Sequence, residues 1–192
     1  MRTSPQWTEN PRVAGSIPAL GTILQKPSED RQVLGSTGTK QERAMSSAKR
    51  IQFETLIKAP VSVVWETMLG AETYPLWTAP FSEGSYYEGS WDQGSRIRFL
   101  APSGEGMVAE IAENRPNEFI SIRHLGIFAN GTEDTESEAV RAWAPAYENY
   151  TFKSLSEGTQ LVVDQDLTED FEPSMQKLWP RAFELLRQLC ED

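Results

Sequence analysis

The clearest pattern of hydrophobic and polar positions lies at the end of the chain, from Glu172 to Cys190. At about 100° per residue, Met175, Leu178, Trp179, Ala182, Phe183, Leu185, Leu186, Leu189 and Cys190 share roughly 160° of arc. Charged and amide side chains fill the remainder. Pro173 suits a first helical turn, where a missing N–H costs nothing. So wide an apolar stripe needs a broad, concave partner rather than one neighbouring helix. Pro180 removes the hydrogen bond to Gln176, which predicts a kink or break. The helix would then split into Pro173–Trp179 and Pro180–Cys190, with Trp179 at the joint as the inner wall of a site.

Earlier segments supply the partner. Ile51, Phe53, Thr55 and Ile57 alternate with Gln52, Glu54 and Lys58, as in a half-buried strand. Pro60 opens a helix to about Leu69, and Gly70 is placed to end it. Ala71 to Trp77 forms a second short helix interrupted by Pro75. From Gly84 the period becomes two, with strands expected at Ser85–Glu88, Ser95–Ala101, Gly106–Glu113, Glu118–Ile127, Tyr147–Ser156 and Thr159–Thr168. Short, Gly- and Asn-containing connections make consecutive strands antiparallel. The exception is the insertion Ala129 to Ala146, where Val140, Trp143, Ala144 and Tyr147 at helical spacing suggest a helical lid. The sum is an α+β fold: two short helices after the first strand, and a curved antiparallel sheet of about seven strands wrapped around the long C-terminal helix.

Composition changes this picture at the N-terminus. Residues 1–44 are rich in Pro, Ser, Thr, Gly and Gln without periodicity, as expected of a disordered tail. A second reading is upstream sequence translated from a misplaced start, with the true start at Met45: Gly15-Ser16-Ile17-Pro18 matches what a transfer-RNA gene arm would encode. Residues 45–192 then form the single folded domain. The chain has a net charge of −10, and the tail holds 6 of 18 basic and 4 of 28 acidic residues, leaving −12 for the domain. Such a balance argues against nucleic acid and anionic membrane as partners. No apolar run approaches the ~18 residues of a span. One Cys excludes an internal disulfide, and a cytoplasmic location is the default.

Candidate chemistry is sparse. His124 is the only histidine and shares a strand face with Ile120 and Ile122. Glu148 shares one with Tyr150 and Phe152. If these strands pair across the insertion, the two meet, giving a polar anchor for a ligand, a proton-transfer pair, or a hydrogen-bonded core pair that fixes register. The aromatic residues Trp77, Trp91, Phe99, Trp143, Tyr150, Phe152, Trp179 and Phe183, with Met107, suit an apolar cavity, and Trp77, Trp179 and Phe183 are the preferred contacts. Gly104-Glu105-Gly106-Met107-Val108-Ala109 resembles a dinucleotide-binding string, but a strand rather than a helix follows. The four acids of Glu133–Glu138 read as a solvated loop or a gate. One His and one Cys argue against a protein zinc site, and the sequence has no nucleophile elbow or phosphate-binding loop. No metal and no cofactor is expected.

Several stretches carry a family resemblance. Ile57-Lys58-Ala59-Pro60-Val61-Ser62-Val63-Val64-Trp65-Glu66 and Tyr74-Pro75-Leu76-Trp77 resemble the start of SRPBCC (START-like, helix-grip) domains. This superfamily includes plant pollen allergens, polyketide cyclases and the C-terminal domain of heat-shock-protein-90 ATPase activators. Gly126–Gly131, Glu133–Glu138, Trp143, Glu148–Thr151 and Trp179–Ala182 look like one bacterial subgroup of the activator-homologue branch. The resemblance spans Lys49 to Cys190. It implies a cavity between sheet and last helix for an apolar or amphipathic small molecule, in a monomer or weak dimer. The site would draw on Trp77, Phe99, Met107, His124, Trp143, Glu148, Tyr150, Trp179 and Phe183. Two alternatives stand beside non-catalytic binding: a cyclase- or dehydratase-type enzyme using His124 and Glu148, and a cofactor that stimulates a heat-shock-protein-90-type chaperone ATPase.

Overall fold

The computed structural model describes residues 48–191, so the expected tail at 1–44 lies outside the described residues. Strand β1 (Lys49–Ile57) buries Ile51, Phe53, Thr55 and Ile57 on one face, as its alternation requires. Helices α1 (Val61–Leu69) and α2 (Tyr74–Trp77) follow. Pro75 sits in the first turn of α2 and does not interrupt it, because a proline there forfeits no intrahelical bond. Next come β2 (Tyr86–Gly89), β3 (Arg96–Leu100), β4 (Gly106–Arg115) and β5 (Phe119–Ala129). The insertion holds β6 (Thr132–Asp134) and α3 (Glu138–Arg141); β7 (Ala146–Leu155), β8 (Gly158–Leu167) and α4 (Glu172–Glu191) close the chain.

All strand pairs are antiparallel, in the order β1-β8-β7-β5-β4-β3-β2, with β6 added to β5 beyond the end of β7. The sheet therefore has eight strands. The additional one, β6, is three residues long, and its turn is Asn130-Gly131, both at positive φ (52° and 75°). That pair is the residue signature of a two-residue hairpin. Two bulges bend the sheet. Leu125 is unpaired between Gly126 and His124, and Ala112 is unpaired between Ile111 and Glu113. An extra residue on one strand increases local twist and curvature, which makes the concave face that α4 needs.

Two expectations about the helices are corrected. α4 runs unbroken over 20 residues with Pro180 inside it. Pro180 and Gln176 are both exposed, so the carbonyl left without its donor faces water rather than the core. The supposed opening at Trp179 is absent: its indole is 1% exposed and enclosed by Phe53, Trp77, Phe81, Tyr150 and Phe183, with ring centroids 4.9–6.4 Å away. In the insertion the helix is one turn only, capped by Ser137 Oγ, which accepts from the Val140 N–H at 3.2 Å. Tyr147 belongs to β7, not to a lid helix. Val140 and Trp143 are nevertheless buried, so the segment does cover the core.

With the helix continuous and the proline ring in solvent, Pro180→Ala restores one backbone hydrogen bond without disturbing packing. We expect it to raise the unfolding free energy by about 1–3 kcal/mol, measured by urea denaturation. A loss of stability would mean that the local bend is needed to seat Trp179 and Phe183.

Candidate functional site

The concave face carries one inward residue per two positions on each strand. On β5 these are Ile120, Ile122 and His124; on β7 they are Ala146, Glu148, Tyr150 and Phe152; on β8 they are Thr159, Leu161, Val163, Gln165 and Leu167. β5 and β7 pair with His124 opposite Ala146 and Ile122 opposite Glu148, so His124 and Glu148 are diagonal neighbours. His124 Nε2 lies 3.6 Å from Glu148 Oε2, beyond hydrogen-bond reach but within ion-pair range. The expected meeting of the two residues is present.

Glu148 is 0% exposed and sits at the centre of a polar cluster. Its Oε1 accepts from the Tyr150 hydroxyl, and its Oε2 accepts from Gln165 Nε2 at 2.9 Å. Gln165 Oε1 in turn accepts from the Trp179 indole N–H at 3.0 Å, which ties α4 to β8 and β7. Tyr74 and Tyr150 are both pushed well above the ordinary phenol range, first by burial and then by the charge of Glu148. The phenols remain protonated donors over the whole working pH range.

Three polar atoms near this cluster have no protein partner among the described residues: the Tyr74 hydroxyl, His124 Nδ1 and Trp143 Nε1. Their side chains are buried. Tyr74 and His124 both pack on Phe99, with centroids 6.1 and 5.9 Å from it. His124 and Trp143 also line a mostly enclosed cavity of about 10 Å³, together with Met107, Ala146, Gln165 and, at its rim, Tyr147, Asp166 and Thr168. That is room for about one water. Arg50 fixes the rim by donating to Asp166 at 2.8 Å.

The sequence-derived candidates thus divide into two groups. Met107, His124 and Trp143 line the cavity, with Phe99 beside His124 and Glu148 behind it. Trp77, Tyr150, Trp179 and Phe183 form the packed aromatic centre, in which Trp77 donates its indole N–H to the Met68 carbonyl at 3.1 Å. No chamber separates α4 from the sheet at these residues. Two members of the cluster were missed. Gln165 is an amide at an inward position of an otherwise apolar strand face, a signal that alternation alone exposes. Tyr74 gave no such signal, because one helical turn sets no readable face. The dinucleotide-like string falls on the β3–β4 hairpin, with Gly106 opening β4. Among the described residues no group of three potential ligands could hold a metal, and no helix is long and apolar enough to cross a membrane.

No family model matches the chain, and no curated protein matches it by sequence. Solved structures do match the folded part. Protein MLL2253 from Mesorhizobium loti is 18% identical, with 74% of this chain and 97% of that chain covered and a TM-score of 0.56. The Aha1 dimer from Colwellia psychrerythraea is 17% identical, with 74% and 96% covered and a TM-score of 0.54. CalU16 from Micromonospora echinospora is 15% identical, with 73% of each chain covered and a TM-score of 0.51. The fold is the helix-grip fold. At these identities the likeness establishes the fold alone.

Within this helix-grip domain Gln165 alone, among the described residues, hydrogen-bonds to both Glu148 and Trp179. Gln165→Leu leaves a buried carboxylate oxygen and an indole N–H without that partner, at about 1–3 kcal/mol each. We expect a total loss of about 2–5 kcal/mol in chemical denaturation. A change below about 1 kcal/mol would show that water replaces the amide and that the link is dispensable.

Proposed function

We propose that this domain binds a small apolar or amphipathic molecule on the concave face of the sheet, at the cavity beside His124 and Trp143 rather than against α4, its polar group held at the Glu148 cluster. The observation that carries the reading is the set of unpaired buried atoms: the Tyr74 hydroxyl, His124 Nδ1 and Trp143 Nε1. Buried polar groups are almost always paired, and each unpaired one costs about 1–3 kcal/mol. A ligand with two or three oxygen atoms would satisfy them. The aromatic surroundings suit its apolar body.

The cavity of about 10 Å³ at this site is too small for such a ligand, so the present state is the closed one and binding requires side chains to move. The segment best able to yield is 130–145, whose regular structure is a three-residue strand and a single helical turn. Trp143 on that segment is the side chain that leaves. His124 and Glu148 as an acid–base pair is the weaker reading, because both are enclosed and Glu148 has no solvent contact. A role as chaperone cofactor, like membership of the activator-homologue branch, rests on resemblance, and the buried cluster adds nothing to it.

Tyr74→Phe separates a binding site from a packing defect. Removing an unpaired hydroxyl should raise the stability of the free protein by about 1 kcal/mol while weakening ligand binding. The ligand is sought by native mass spectrometry of protein from its own host and by thermal shift across fatty acids and aromatic polyketides. We expect a bound mass, or a saturable rise of about 5–10 °C at a hundredfold excess over Kd, reduced in Tyr74→Phe. Absence of both a bound mass and any shift contradicts the proposal.

A further inference from the structure

Residues on the opposite face of the same strands form a second hollow. Along β5, Arg123 alternates with Ile122 and His124 and therefore projects from the convex side. Arg96 does the same beside Ile97 on β3. Together with Arg141 of α3 they line a surface hollow of about 270 Å³, completed by Leu125, Thr135, Ala144 and Pro145. Three of these seven residues are arginines and none is acidic, in a domain whose net charge is −12. Elsewhere on this face arginine is already committed. Arg98 pairs with Glu133 at 2.8 Å, lies 3.8 Å from Glu88, and stacks over Phe128.

Two of the hollow's own arginines are not. The third, Arg96, is paired with Glu133 at 3.7 Å. Arg123 and Arg141 form no ion pair among the described residues. Glu110 lies opposite both Arg96 and Arg123 in register, yet it pairs with neither and does not line the hollow. The Nε of Arg123 is buried and has no hydrogen-bond partner among the described residues. A guanidinium N–H without water or acceptor is costly to leave unmade, and Arg123 shares the lining of the hollow with two further arginines. Carboxylate and phosphate oxygens match that fork geometry, which is why arginine recognises them.

We infer that the hollow formed by Arg96, Arg123 and Arg141 is a binding site for a small oxyanion, a carboxylate or a phosphate group. The neighbouring acids Glu110 and Glu133, beside Arg96 and Arg123, disfavour an extended polyanion and leave space for one compact anionic group. The two sites lie on opposite faces of the sheet and share no lining residue, although segment 130–145 contributes residues to both.

The test is calorimetric titration of the full chain with inorganic phosphate and, separately, succinate, with sodium chloride holding ionic strength constant. Saturable binding of at least one anion is expected, and which one binds assigns the ligand class. Arg123→Gln and Arg141→Gln should each weaken binding about tenfold or more. Lys153→Gln, which removes the same charge at the far end of β7, should leave it unchanged. Arg141 is exposed, so its replacement keeps the fold even if Arg123→Gln does not. No saturable heat with either anion, or equal weakening by Lys153→Gln, overturns the site.

Discussion

The position of α4 depends on one hydrogen-bonded chain, from the Trp179 indole through the Gln165 amide to the Glu148 carboxylate. Burying a carboxylate is expensive unless it is paired and hydrogen-bonded. Glu148 is tolerable only because Tyr150, Gln165 and His124 surround it from β7, β8 and β5. That requirement constrains three strands and the helix at once. Apolar packing of a wide helical stripe on a curved sheet is non-directional and would accept several rotations or shifts. The indole N–H accepts only one: Trp179 must face β8 at Gln165. The aromatic residues around Trp179 then fill the interior to close packing, and the cavity beside His124 is what remains.

The fold was legible because it rests on periodicity. The half-apolar final helix, the inward faces of β1, β5 and β7, and the hairpin turns all follow from residue spacing, and the meeting of His124 with Glu148 follows from two shared faces plus one strand pairing. What was not legible depends on shape rather than pattern. β6 is too short and polar to show alternation, and the Asn130-Gly131 turn before it went unread inside the insertion. Pro180 reads as a breaker until its exposure is known, because a proline on the solvent side leaves its orphan carbonyl to water. Gln165 was visible as a polar residue in an apolar register, but its role needed both partners in place. The size of the cavity is set by rotamers and by the packing of large rings, and no spacing rule reports it.

The sheet separates two chemistries. Adjacent residues Arg123 and His124 leave β5 in opposite directions, one toward a cationic hollow and the other toward the buried cluster. The segment 130–145 contributes to both sides, with Trp143 turned inward and Arg141 outward. Its regular structure is one three-residue strand and one helical turn, held on the core by Val140 and Trp143.

The central claim is that the unpaired atoms beside Glu148 await a ligand and are not a packing imperfection. A crystal structure of protein purified from its own host tests this most directly. The account predicts non-protein density larger than one water in an enlarged cavity, with a polar atom within hydrogen-bond distance of His124 Nδ1 or Trp143 Nε1. A closed interior with at most one water at that cavity, in protein purified from its own host, would contradict it.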